Sequence, residues 1–155
     1  MIRSREPVDE STGSRITISD RMSHSLVMVW VHFVIRTRKG VLVIHGEVER
    51  ILYDHLRSYI EGDLRCHLIA MNGMPNHVHI LVGMHAALSV QEFAHRVKGE
   101  SSHWLNQQRM LDVPFRWQTG YGAFSVGKEE VGIVKRYIEN QKRHHGTGGG
   151  KESTP

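Results

Sequence analysis

The stretch Met74-Pro75-Asn76-His77-Val78-His79-Ile80-Leu81-Val82 restricts what this chain can fold into more than any other. Proline presets φ and asparagine tolerates turn conformations, so Met74-Pro75-Asn76 reads as a tight turn. The alternating run behind it reads as a strand, residues 65–72 read as the strand before it, and together they make a hairpin around Gly73-Met74-Pro75-Asn76. Side chains two apart on a strand leave the same face, so His77 and His79 aim two imidazoles at one point. Two neutral imidazoles on one rigid strand form a preorganised half-site for a metal, lacking only a third ligand and open positions for substrate. Taken alone, an H-x-H also fits two polar residues on the wet face of a sheet, because so short a motif often matches by chance. Val78, Ile80 and Val82 make the more uniformly apolar alternate face, which is consistent with the histidines looking the other way.

The elements around the hairpin set its context. Residues 26–36, LVMVWVHFVIR, are rich in β-branched and aromatic side chains and read as a central strand, closed by the turn-like Arg38-Lys39-Gly40. A short apolar run at 41–44 leads into a helix over 47–61, with Val48, Ile51, Leu52, Leu56, Tyr59 and Ile60 at helical spacing and Gly62 as its stop. Ser89-Val90-Gln91-Glu92 is a capping box that opens a helix to about residue 108, with Phe93, Val97, Trp104 and Leu105 as its buried stripe. Pro114 breaks the chain, 121–126 is a short strand, and 128–145 is a final helix. The order strand, helix, strand, strand, helix, strand predicts an α+β fold, a ferredoxin-like antiparallel sheet with helices on one face and the other face open. The appended C-terminal helix carries Tyr137 and Gln141, four apart and so on one stripe, with His144 and His145 a further turn along. A tyrosine there could bring a nucleophilic hydroxyl to the histidine pair and Gln141 a third, carbonyl ligand; equally, Tyr137 could simply flank the core stripe of Val131, Val134 and Ile138.

Composition narrows the class. A chain of 155 residues with 39% apolar and 23% charged side chains is one domain's worth of globular protein. The longest apolar run, 26–35, is interrupted by His32 and falls far short of the ~20 residues a spanning helix needs. The N-terminus has no hydrophobic segment of the kind a signal peptide requires. Cys66 is the single cysteine, which permits no internal disulfide, fits a reducing cytoplasm and reads as a strand residue. Residues 1–21 hold four basic and four acidic groups, so the net charge of +4 lies wholly in 22–155. A basic domain favours anionic partners. The expected organisation is a disordered extension over 1–21, a folded domain over 22–146 and a flexible Gly-rich tail over 147–155. Met22 is an alternative natural start.

Four segments then converge on one family. Met74-Pro75-Asn76-His77-Val78-His79, Lys98-Gly99-Glu100-Ser101-Ser102, Phe115-Arg116-Trp117-Gln118-Thr119-Gly120-Tyr121-Gly122-Ala123-Phe124-Ser125-Val126 and Tyr137-Ile138-Glu139-Asn140-Gln141-Lys142-Arg143-His144-His145 closely resemble, in order, the single-tyrosine (Y1) HUH transposases of the IS200/IS605 insertion sequences. The resemblance implies a prokaryotic single-stranded DNA transposase in which His77, His79 and Gln141 bind a divalent metal, Mg²⁺ or Mn²⁺, and Tyr137 is the nucleophile. It implies transesterification through a 5′-phosphotyrosine, recognition of DNA hairpins at the element ends, and a homodimer whose tyrosine helix can complete the partner's site. Gly127, just before that helix, and Gly132, near its start, could ease such a swing, and Gly127 reads equally as a simple strand-end turn. Arg36, Arg38, Lys39, Lys98, Lys135, Arg136, Lys142 and Arg143 are candidate phosphate contacts, each of which reads equally as part of a solvated face. Trp117 and Tyr121 read as core or dimer aromatics, with base stacking as the alternative. The extension before Met22 departs from the family pattern, as does Gly127, where the family often has a small hydroxyl residue. A histidine-based metal hydrolase using His144 or His145 as third ligand, and a non-catalytic nucleic-acid-binding module, remain open beside the transposase.

Overall fold

The apolar run that begins at Leu26 becomes a strand only at Trp30. Trp30 pairs with Gly83 on one side and Val126 on the other, and both of those strands end there, so residues 26–29 have no ladder to join and stay exposed. The structure, a computed structural model, describes residues 26–144, so the expectations for 1–21 and 147–155 lie outside the described residues. β1 (Trp30–Arg36) is followed by a short helical turn, Arg38–Gly40, and by α1 (Gly46–Ser58), which buries Leu52 and Leu56. Gly62 does not stop the helix. The chain widens into a π turn, Tyr59–Asp63, that buries Ile60, and the left-handed residue that ends it is Arg65, at φ 53°. Cys66 precedes the next strand rather than lying in it.

β2 (His67–Met74) and β3 (His77–Gly83) pair in a register that sets Met74 opposite His77, so the turn contains only Pro75 and Asn76. Gly73 is a strand residue, not a turn residue. A Cβ there would overlap the His77 carbonyl oxygen and stand 2.9 Å from Val78 Cα, a close approach that only glycine permits. The two turn carbonyls are tied to the exit of β1, Thr37 N–H donating to Asn76 O and Ile44 N–H to Pro75 O, both at 2.9 Å.

α2 (Val90–Gln107) opens with Ser89, whose Oγ accepts from Glu92 N–H at 3.0 Å. Its buried stripe is Phe93, Ala94, Val97, Ser101 and Leu105, while Trp104 is half-buried and stacks on the His55 ring at 4.0 Å. β4 (Gly122–Val126) follows. The expected continuous last helix is two pieces, α3 (Val131–Glu139) and α4 (Gln141–His144), separated at Asn140 with φ −94° and ψ 9°. Asparagine competes with the helical backbone through its own side chain, which makes it a natural place for that break.

The strands form one antiparallel sheet in the order β2-β3-β1-β4. Val31, Phe33 and Ile35 of β1 and Val78, Ile80 and Val82 of β3 pack with the apolar faces of α1 and α2 into the main core. The opposite face was expected to be open, yet α3 and α4 lie across β2 and β3 there. A second, smaller core of Ala70, Leu81, Val126 and Ile138 seals them down. A bulge between Leu68 and Ala70 shifts the alternation of β2, which lets Leu68 join the first core and Ala70 the second.

Candidate active site

Strand alternation decides which side chains meet beneath α3. With Val78, Ile80 and Val82 in the main core, His77 and His79 lie on the other face, and with Val31, Phe33 and Ile35 likewise committed, His32, Val34 and Arg36 share that face. Both His77 and His79 are buried, at 4% and 7% exposure, because the last two helices cover them. Each has its Nδ1 engaged. Asn76 Oδ1 stands 2.7 Å from His77 Nδ1 and can only accept, so that nitrogen is the donor of the pair. His79 Nδ1 lies 2.9 Å from Nε2 of His32, with the two rings stacked at 5.1 Å. Burial pushes the His32 pKa below the ordinary imidazole value and so favours its neutral form.

Tyr137 approaches the pair from α3 of the same chain. Its ring stands edge-on to His79, centroids 5.8 Å apart and planes at 89°, and 6.4 Å from His32. The neighbouring Ile138 is fully buried and anchors the helix, while Tyr137 itself remains 36% exposed. A second clasp fixes the end of α3. Asn72, the register partner of His79, donates from Nδ2 to Glu139 O at 3.1 Å. Lys142 Nζ donates to Asn72 Oδ1 at 2.6 Å, to Gly73 O at 3.2 Å and to Glu49 Oε1 at 2.5 Å. Gln141 lies between these fastenings, 2% exposed, with its Nε2 directed over 3.5 Å at Tyr137 O. That orientation leaves Oε1 as the end of the amide suited to a metal. Among the described residues, no three histidine, cysteine or carboxylate side chains are arranged to hold a metal ion. His145 lies outside the described residues.

The family model for IS200-like transposases matches residues 25–141. The chain belongs to that family. Among solved structures it is similar to a candidate transposase from Deinococcus radiodurans R1, at 26% identity and a TM-score of 0.62, covering 76% of this chain and 93% of that one. It also shares its fold with a REP-associated tyrosine transposase bound to a REP hairpin, at 14% identity and a TM-score of 0.60, covering 76% of this chain and 68% of that one. No match was found among curated proteins.

In this IS200-like transposase the basic residues singled out from the sequence separate into distinct groups. Arg36 is the register partner of His77 on the histidine face, and the exposed Arg38 and Lys39 extend beyond it on the turn next to Asn76. Those three gather at one end of the site. Lys98 lies on α2, on the far face of the sheet, and spends its ammonium on Gln118 O and Gly120 O, both at 2.7 Å. Lys142 is committed to the clasp, and Lys135 faces Glu139 one turn along α3 at 3.9 Å. Arg136 and Arg143 are exposed on α3 and α4.

Two segments shared with the family turn out to hold one another. Trp117 is a core residue, and its Nε1–H donates to Ser101 Oγ at 2.9 Å; Ser101 in turn donates to Val97 O at 2.6 Å. Glu100 pairs with His55 of α1 at 2.7 Å. Tyr121 is exposed. His32 was not singled out as a site residue in the sequence. Its one signal is a histidine interrupting an otherwise apolar central strand, and only the pairing of β1 with β3 shows which residue it serves.

Proposed function

We propose that this IS200-like transposase cleaves and rejoins single-stranded DNA at insertion-sequence ends, with Tyr137 as nucleophile and His77, His79 and Gln141 as holders of a divalent metal, Mg²⁺ or Mn²⁺. The observation that carries the reading is the Tyr137 ring standing 5.8 Å from His79 over a buried histidine pair. The Tyr137 oxygen attacks a backbone phosphorus, the P–O3′ bond breaks, and the phenolic proton is given up as the 3′ oxygen gains one. The products are a 5′-phosphotyrosine and a free 3′-OH, and a 3′-OH attacking such a linkage rejoins strands and releases the tyrosine. One ester replaces another at each step, so no energy cofactor is needed.

A phenol is a weak nucleophile at neutral pH and requires help. A divalent ion supplies it by neutralising the charge that develops on the scissile phosphate. The residues fit such an ion, because the Nδ1 contacts of both histidines direct any metal bound by either ring to Nε2, and Gln141 presents an amide oxygen. Two imidazoles and an amide are softer than the all-oxygen sites Mg²⁺ prefers, so Mn²⁺ supports activity at least as well. Arg36, Arg38 and Lys39 fit the role of holding the DNA backbone at the His77 end, which positions the strand without reading sequence. Hairpins at the element ends are the substrate feature recognised, in keeping with the hairpin named for the structural neighbour.

Incubating the protein with end-labelled single-stranded DNA from the element ends and Mn²⁺, then separating it on denaturing protein gels, tests this. A labelled band at protein mass is expected for the wild type and is expected to vanish with EDTA and in Tyr137→Phe. Hairpin binding with no band would support a binding module instead, and cleavage that persists in the variant a water-using hydrolase.

A further inference from the structure

Each histidine of the pair has its Nδ1 held, but by partners of different kinds. For His77 the partner is its own neighbour in the chain, Asn76, and the turn supplies it locally. For His79 it is His32, 47 residues away on β1. The cross-strand partner of His32 is Leu81 and that of His79 is Val34, so the two imidazoles meet on the diagonal, a separation that only large side chains bridge. His32 is 4% exposed, stacked on His79, and within ring contact of Phe124 and Tyr137. A polar ring buried this deeply needs a partner.

We propose that His32 is a positioning residue for the transposition chemistry: its Nε2 accepts a hydrogen bond from His79 Nδ1–H, fixing the tautomer and plane of the His79 ring so that Nε2 faces the metal. The inference rests on the reading of His77 and His79 as metal donors. His32 then keeps its own proton on Nδ1. The opposite polarity, with His32 donating to His79, would place the His79 proton on Nε2 and close that nitrogen to a cation. A histidine that holds a metal-binding histidine does the work more often done by a carboxylate or a backbone carbonyl, without adding negative charge where a phosphodiester must enter.

Long-range ¹H–¹⁵N spectra of the metal-free wild type read the tautomers directly and need no variant. Protons on Nδ1 of both His79 and His32 are expected; a proton on His79 Nε2 overturns the assignment. Mn²⁺ titration followed by calorimetry, with the metal-free melting temperature recorded beside it, gives the second readout. His32→Leu keeps the bulk and removes the acceptor, so Mn²⁺ affinity should fall roughly 10- to 100-fold. His32→Gln puts an amide oxygen near the lost Nε2 and should recover most of that loss. A folded His32→Leu protein that binds Mn²⁺ like the wild type overturns the role of His32 and leaves the metal reading standing, whereas a wild type that binds no Mn²⁺ overturns both.

Discussion

Trp117 illustrates how a single polar atom can matter far from the chemistry. Its indole N–H is buried and has Ser101 Oγ as acceptor, so Ser101→Ala leaves a donor stranded in the core. The expected cost is about 1–3 kcal/mol, seen as a lower melting temperature, with the cleavage rate per folded molecule unchanged. A variant as stable as the wild type would mean that the indole finds another acceptor. The same distinction between local and distant contacts explains what could be read from the sequence. The common face of His77 and His79 was legible from a turn and a two-residue alternation, and the proximity of Tyr137 to Gln141 from a four-residue spacing, all between near neighbours in the chain. Ser101, Glu100 and His32 act through partners on other elements, and no periodicity within the chain states which strand or helix will face them. The family resemblance marked the segment of Ser101 and Glu100 without supplying its physical reason.

The two-piece C-terminal helix and its clasp determine where Gln141 stands. Lys142 holds α4 to β2 through Asn72 and Gly73 and to α1 through Glu49. Half of its side-chain surface is in solvent, so the bond network contributes modestly, about 0.5–1 kcal/mol. Lys142→Ala is therefore expected to lower the melting temperature by only a few degrees, yet to weaken Mn²⁺ binding severalfold as α4 frays and Gln141 loses its place. An unchanged Mn²⁺ affinity in calorimetry would show that Gln141 is held without the clasp. Element boundaries were the less legible part of the sequence. The last helix read as continuous because its apolar spacing runs through Asn140, and the first helix read as ending at Gly62 because glycine usually marks a stop. In the structure the stop falls at Arg65, after a π turn that carries Ile60 inward and leaves Leu64 buried too.

The strands form the antiparallel sheet that the alternation of strand and helix patterns predicted, and the structure adds their order, β2-β3-β1-β4. Coverage of the second face did not follow, since a pattern of apolar spacings shows that a helix has a face to bury but not which sheet surface takes it. Here the chain's own α3 covers its own histidines, although the resemblance also allowed the tyrosine to serve a partner subunit. The difference is measurable in a homodimer. Mixing Tyr137→Phe with His79→Ala, each inactive alone, is expected to restore no cleavage, because every site then carries one defect. Recovery of activity on mixing would place the tyrosine of one subunit over the histidines of the other.

Attack by the Tyr137 oxygen on a DNA phosphorus is the central step of the proposed reaction. The most direct measurement is to trap the wild-type protein on a single-stranded element-end oligonucleotide in Mn²⁺, digest it, and identify the nucleotide-bearing peptide by mass spectrometry. A peptide containing Tyr137 with a 5′-phosphate-linked nucleotide on its phenolic oxygen is the predicted result. An adduct on any other residue, or cleaved DNA with no adduct, would contradict it.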